Sequence, residues 1–260
     1  MRDLIGSLSR ISDRRMRALA LAHRLAAMGE ERAALFLEGI LRNVGRWEGQ
    51  GMRPVRDALV DFLALRERLG RGMIERIRRV SEAMGCVQVL DLFNDGDAYR
   101  NAQEEDLPMT PPEFKGVTLG ARKAMARQPT SKWLERLLQD QDPSVIRNLL
   151  LNPRVTEAEV LKLASRTPVS ARVLEEVARS QRWISRYRVK KALVLNPYTP
   201  LGTSLPLLGF LMSQDLLFVS QRDGLSPTLR SRARRLWEER RPLRTSEERA
   251  SFFMADGDIM

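Results

Sequence analysis

Apolar residues along this chain recur three and four positions apart, the period of an amphipathic helix rather than the alternation of a strand. Residues 12–29, SDRRMRALALAHRLAAMG, predict a helix capped by Ser12 or Asp13 and ended by Gly29, with Met16, Leu19, Ala20 and Leu25 on its apolar side. A second, EERAALFLEGILRNVGRW, places Leu35, Phe36, Ile40 and Leu41 on one face. The string GRWEGQGMRP reads as a loop, and Pro54 suits the first turn of the next helix. That third helix, VRDALVDFLALRERLG, buries Leu59, Phe62 and Leu63; Gly70 and Gly72 interrupt it before a fourth through Ile74, Ile77 and Val80. Four helices with short joins predict an antiparallel bundle over residues 1–90.

Further along, one nine-residue pattern occurs twice, as VIRNLLLNP from Val145 to Pro153 and VKKALVLNP from Val189 to Pro197. Pro129 lies 24 positions before Pro153, and Pro197 lies 44 after it. This spacing fits units of about 22 residues, the middle unit lacking its proline. That middle stretch, TPVSARVLEEVARSQ, is itself amphipathic through Val173, Leu174 and Val177. A residue before proline is pushed out of helical geometry, so Asn152 and Asn196 close the helices that carry Leu149 and Leu193. Thr156, with Glu159 three positions on, forms a capping box for the helix that follows, and Thr199 or Thr203 can open its counterpart. A helix, a break and a helix cannot bury their apolar faces alone; stacked on neighbours they can.

The stretch DPSVIRNLLLNPRVTEAEVLKLA resembles the leucine-rich repeat variant, a helical repeat similar to HEAT repeats, and RYRVKKALVLNPYTPLGTSLPLL is a more divergent copy. The resemblance spans at most Leu119 to Trp237. It implies a right-handed α-solenoid used as a binding surface. Some relatives carry an iron–sulfur cluster, which this chain lacks the cysteines to hold. The expected fold is therefore all-α: a helical bundle (1–90), an acidic linker (91–116), a basic HEAT-like α-solenoid (117–245) and a C-terminal tail (246–260).

Charge sharpens this division. The net charge is +11, yet residues 91–114 hold seven acids against one arginine, and residues 120–245 hold 24 Lys and Arg against 11 acids. A basic module of this kind suits an acidic protein surface or a polyanion. Asp91, Asp95, Gly96 and Asp97 partly imitate a calcium loop, but Phe93 and Ala102 stand where the ion needs oxygen. With one cysteine, Cys86, and one histidine, His23, no internal disulfide or tetrahedral metal site is expected, and no cofactor. The first residues lack a secretory apolar core, which predicts a cytoplasmic protein. Residues 192–214 carry no charge, but their Asn and Pro residues favour buried helices over a membrane span.

No glycine-rich phosphate loop or Gly-x-Ser-x-Gly elbow occurs, and Glu175-Glu176 and Glu238-Glu239 splay as helix neighbours, so no enzyme is expected. The expected function is an adaptor whose basic solenoid face binds an acidic partner protein. The densest cationic stretch, RSQRWISRYRVKK, contributes Arg179, Arg182, Trp183, Arg186, Tyr187 and Lys190. If Ser185 starts a helix there, Val189, Ala192 and Leu193 point inward, Arg186 and Lys190 outward, and Trp183 and Tyr187 offer ring faces. Arg230 and Arg234 form a second cluster, opposite Ala233, Leu236 and Trp237. The alternative is a nucleic-acid-binding solenoid gripping phosphates. The N-terminal bundle is expected to give homodimerisation or a second contact.

Overall fold

The computed structural model describes residues 2–44, 53–107, 111–128 and 132–240; the expected loop at 45–52, Pro129 and the tail at 246–260 lie outside the described residues. The protein is all-α, with 16 helices and no strand among the described residues. In the N-terminal half run α1 (Arg2–Ser9), α2 (Arg14–Met28), α3 (Glu30–Asn43), α4 (Arg53–Val60), α5 (Phe62–Met84) and α6 (Val87–Leu92). Asp13 caps α2 by accepting the Met16 amide at 2.8 Å. The expected third helix is divided at Asp61, and the expected break at Gly70 is a kink inside α5, where φ is +71°. Gly85, in the left-handed region, ends α5.

Which face of α2 is buried differs from the sequence expectation. Ala18, Leu21, Ala22 and Leu25 are buried, while Met16 is 54% exposed. A helix as rich in Ala and Leu as this one offers more than one apolar stripe. Packing on α3, α4 and α5 selects among them. Leu35 is likewise exposed on α3, where Leu37, Ile40 and Leu41 are buried.

In the C-terminal half, nine-residue helices alternate with shorter ones until the last, α16, which is the longest: α7 (Leu119–Arg127), α8 (Leu134–Leu137), α9 (Pro143–Leu151), α10 (Glu157–Ala164), α11 (Ala171–Arg179), α12 (Gln181–Ile184), α13 (Tyr187–Leu195), α14 (Leu201–Leu208), α15 (Ser213–Gln221) and α16 (Pro227–Arg240). Helices α7, α9, α11, α13 and α15 each have nine residues, and each packs on the next in a row. Charged and polar pairs staple that row. Arg127 Nε meets Asn148 at 2.8 Å, Arg147 grips buried Glu176 through two bonds of 2.8 and 2.6 Å, and Lys191 reaches Asp215 at 2.7 Å.

The two Asn-Pro turns are built alike. The Asn152 side-chain amide donates to the carbonyls of Ala126 and Gln128 at 2.8 and 3.0 Å, and its oxygen accepts the Arg154 amide. Asn196 donates to the carbonyls of Ala164 and Arg166, both at 2.9 Å, and accepts the Tyr198 amide. Both are extended, with ψ of 127° and 116°, as the following proline requires. Each therefore ends its own helix and satisfies the orphan carbonyls of a neighbouring one. Leu149 and Leu193 are both fully buried. The expected Thr156–Glu159 capping box is also present.

Between the halves, the acidic stretch is not a detached linker. Asp91 sits in α6, and Asp91, Leu92, Phe93 and Phe114 are buried. Residues 94–100 lie along the start of α14: Arg100 N–H donates to Pro197 O at 3.0 Å, Leu201 N–H to Asp97 O at 3.1 Å, and Gly202 N–H to Gly96 O at 2.9 Å. A Cβ on Gly202 would fall 2.8 Å from Asn94 O, so this close approach needs glycine. Acidic composition suggested solvation, but the fastening uses backbone groups, which composition does not report. With α6 packed on α14, one apolar core runs from Leu8 to Leu236. Among the described residues, no helix is long and apolar enough to cross a membrane; the uncharged stretch divides between α13 and α14.

Asp91 gives this joint a pH dependence. Burial pushes its carboxyl up to about 6, opposed only in part by the Arg232 guanidinium 3.1 Å away, while Glu38 adds a smaller upward push. The folded state thus holds this proton more tightly than the unfolded chain. Its contribution to stability is full below the ordinary Asp range and is lost as pH rises through about 6. Asp91→Asn should therefore gain in melting temperature over wild type more at pH 7.5 than at pH 5. An advantage equal at both pH values would contradict this.

Candidate partner-binding site

The eight sequence-predicted residues divide between two places, the α11–α13 corner and α16. At the corner, Arg179 ends α11 and pairs with Glu67 of α5 at 2.8 Å. Arg182 is exposed, its guanidinium 4.2 Å over the Trp183 ring, and donates to the carbonyls of Asn152 and Val155 at 3.0 Å each. Those carbonyls follow the end of α9, where a cation offsets the negative pole of the helix. Trp183 is only 2% exposed, and its indole N–H donates to Leu150 O at 2.9 Å. Short α12 directs this ring inward, so Trp183 is not the exposed platform its sequence neighbours suggest.

Helix α13 starts at Tyr187, two residues later than expected, with exposed Arg186 at its N-cap. Val189 and Leu193 are buried as expected, but Lys190 is buried with them at 4% exposure. Its ammonium donates to Ile184 O and Ser185 O at 3.1 and 3.0 Å, closing α12. Lys190 therefore does not share an outward face with Arg186. Tyr187 is half-buried; its hydroxyl donates to Asp215 and accepts the Met212 amide at 3.0 Å. Burial first, and then Asp215, push this phenol up to about 12. On α16, Arg230 is half-buried and 3.3 Å from Asp223, Arg234 is exposed, and Ala233 and Leu236 are buried.

What the structure brings together instead is a junction between the two halves. Lys190 is pushed down to about 8 by burial and then by the nearby cations Arg56 and Arg14, which Asp57 offsets only partly. Asp57 already serves Arg17 at 2.8 Å and Arg14 at 3.8 Å. One carboxylate thus faces a surplus of cations, with Arg182 and Arg186 exposed on the same corner.

Asp13 and Arg15, which flank Arg14 in the chain, and Arg182 line a cleft of roughly 650 Å³ between α2 and α5 on one side and α9, α11 and α12 on the other. Leu63, Ala64, Leu150 and Leu151 supply its apolar wall. Leu151 is 72% exposed, because Leu149 and Leu150 take the inward positions of α9 and leave the third leucine of NLLLNP facing outward. Its counterpart in the second copy, Leu195, is half-buried. Charged groups, with Ser180 and Gln181, form the rest of the wall. Arg147 is held by Glu176, and Arg179 and Arg15 by Glu67 at 2.8 and 3.7 Å. Arg14, Arg56, Asp61 and Leu151 escaped the sequence reading, since they converge from elements far apart in the chain. Only the third leucine of NLLLNP left a local signal. No protein-family model, curated protein or solved structure matches this chain.

Proposed function

We propose that this chain is a non-catalytic adaptor, an N-terminal helical bundle fused to an α-solenoid, that docks a partner protein at the junction of its two halves. The successive packing of five nine-residue helices and the matched Asn-Pro turns support the solenoid reading. One observation carries the functional reading: a cation surplus that includes Arg14 is continuous through Asp13 and Arg15 with a cleft lined also by Arg182 and by Leu151, the most exposed large apolar side chain among the described residues. Exposed apolar area beside unneutralised charge suits a partner with an apolar anchor and acidic flanks. Acidic flanks would meet Arg182 and Arg186, and Leu151 would cover the anchor.

The test uses residues that the fold does not need. Leu151→Ser and Arg186→Glu are both exposed changes and should leave the melting temperature within about 1–2 °C of wild type. Together they should abolish capture of the partner, while Arg234→Glu retains it. An unchanged set of captured proteins would contradict the reading. The phosphate-binding alternative draws on the same exposed cations, and a gel-shift titration separates the two. Phosphate contacts weaken steeply and linearly on a log–log salt plot, whereas a groove anchored by Leu151 does not.

A further inference from the structure

Asp61 precedes α5 and lies in the wall of the cleft, only 6% exposed. Aspartate at this position ordinarily caps the helix it opens. Here the Ala64 amide is close enough to act on the carboxylate, yet no side-chain cap hydrogen bond forms. One carboxylate oxygen accepts the Gln181 side-chain amide at 2.9 Å. The other acids of the wall differ: Asp13 is exposed and caps α2 through the Met16 amide, and the two glutamates are held by arginines. Glu176 is bound twice by Arg147, and Glu67 faces both Arg179 and Arg15. Arg15, the cation nearest in effect to Asp61, is therefore committed elsewhere. Burial raises the Asp61 carboxyl, and the Gln181 amide, the Ala64 amide and Arg15 offset this only in part. A buried carboxylate without a contacting cation is costly, and a cation brought in by a ligand removes that cost.

We propose that this cleft receives the side chain of one lysine or arginine of the partner, its charged head against Asp61 and its alkyl stem along Leu63, Ala64 and Leu150. This deepens the adaptor reading and rests on it for the source of the cation. The partner segment then combines acidic residues, which meet the Arg182–Arg186 rim, with a single basic residue that enters the cleft. Leu151 at the mouth packs on a neighbouring apolar residue of the same segment.

The experiment uses the full chain and three small probes: n-butylguanidinium, the uncharged isostere n-butylurea, and the capped dipeptide acetyl-Leu-Arg-amide. Binding is read by NMR at the Gln181 side-chain amide and by titration calorimetry. Butylguanidinium should shift the Gln181 amide signals saturably, and butylurea should not. The dipeptide should bind about fivefold or more tightly than butylguanidinium, the worth of a partly buried leucine contact. Asp61→Asn, a sound helix-opening residue, should abolish the response to both cations. Equal responses to butylguanidinium and butylurea, or no Gln181 shift, would overturn the site in the wild-type protein without any variant. Equal affinity for the dipeptide and butylguanidinium would overturn its assignment to a partner side chain. Failure of the capture experiment with an intact butylguanidinium response would count against the adaptor reading alone.

Discussion

Trp183→Ala is expected to lower the melting temperature by roughly 10 °C, which corresponds to a loss of about 3–5 kcal/mol for a buried aromatic truncated in a core. The ring is 2% exposed, its N–H bonds the Leu150 carbonyl, and Arg182 covers its face. Truncation would leave a cavity, an unsatisfied buried carbonyl and an arginine without its platform. Trp183→Phe should recover much of the packing but not the hydrogen bond, and fall between the two. Chemical denaturation checks this directly. If Trp183→Ala unfolds like wild type and only binding suffers, the ring belongs to the surface and the described corner is wrong.

The second large effect concerns the Asn-Pro turns. Asn152→Ala and Asn196→Ala should each cost about 2–4 kcal/mol, because each removes three hydrogen bonds and strands two carbonyls of a neighbouring helix. Asp at either position should cost more than Ala. A carboxylate cannot donate, and it would face two carbonyl oxygens inside the protein. The two alanine variants should agree to within about 1 kcal/mol, since the bonds and the burial correspond. A marked loss at one with none at the other would deny that the turns are equivalent.

Much of the fold was legible because it rests on local signals. Periodicity revealed the helices, Gly29 and Gly85 ended α2 and α5, and Asp13 and Thr156 served as caps. The repeat at Asn152 and Asn196 marked two helix ends, but not the bonds their side chains make to the ends of other helices, α7 for Asn152 and α10 for Asn196. Face selection on α2 was illegible, since tertiary packing chose among apolar stripes of similar strength. The site was read less well, for a physical reason. A basic stretch reports cations, not their partners. Lys190 and Arg182 bond helix-end carbonyls, and Arg179 meets Glu67, 112 positions away. Arg166, Arg240 and Arg66 do comparable work at the carbonyls of Leu138, of Gly209 and Leu211, and of Leu92. Part of the basic excess thus closes helices internally, and what remains outward is a smaller surface than composition suggests. Asp61 and Leu151 line one cleft only because α5 and α9 both border it.

The matched turns fasten α9 to α7 and α13 to α10, and the first of them places Leu151, so their equivalence is the claim to test first. NMR of the side-chain amides of Asn152 and Asn196 does so without altering the protein. Both should show downfield, slowly exchanging protons, with couplings across hydrogen bonds to the carbonyl carbons of Ala126 and Gln128 for one and Ala164 and Arg166 for the other. Rapid exchange at either amide, or couplings to unrelated carbonyls, would contradict the account.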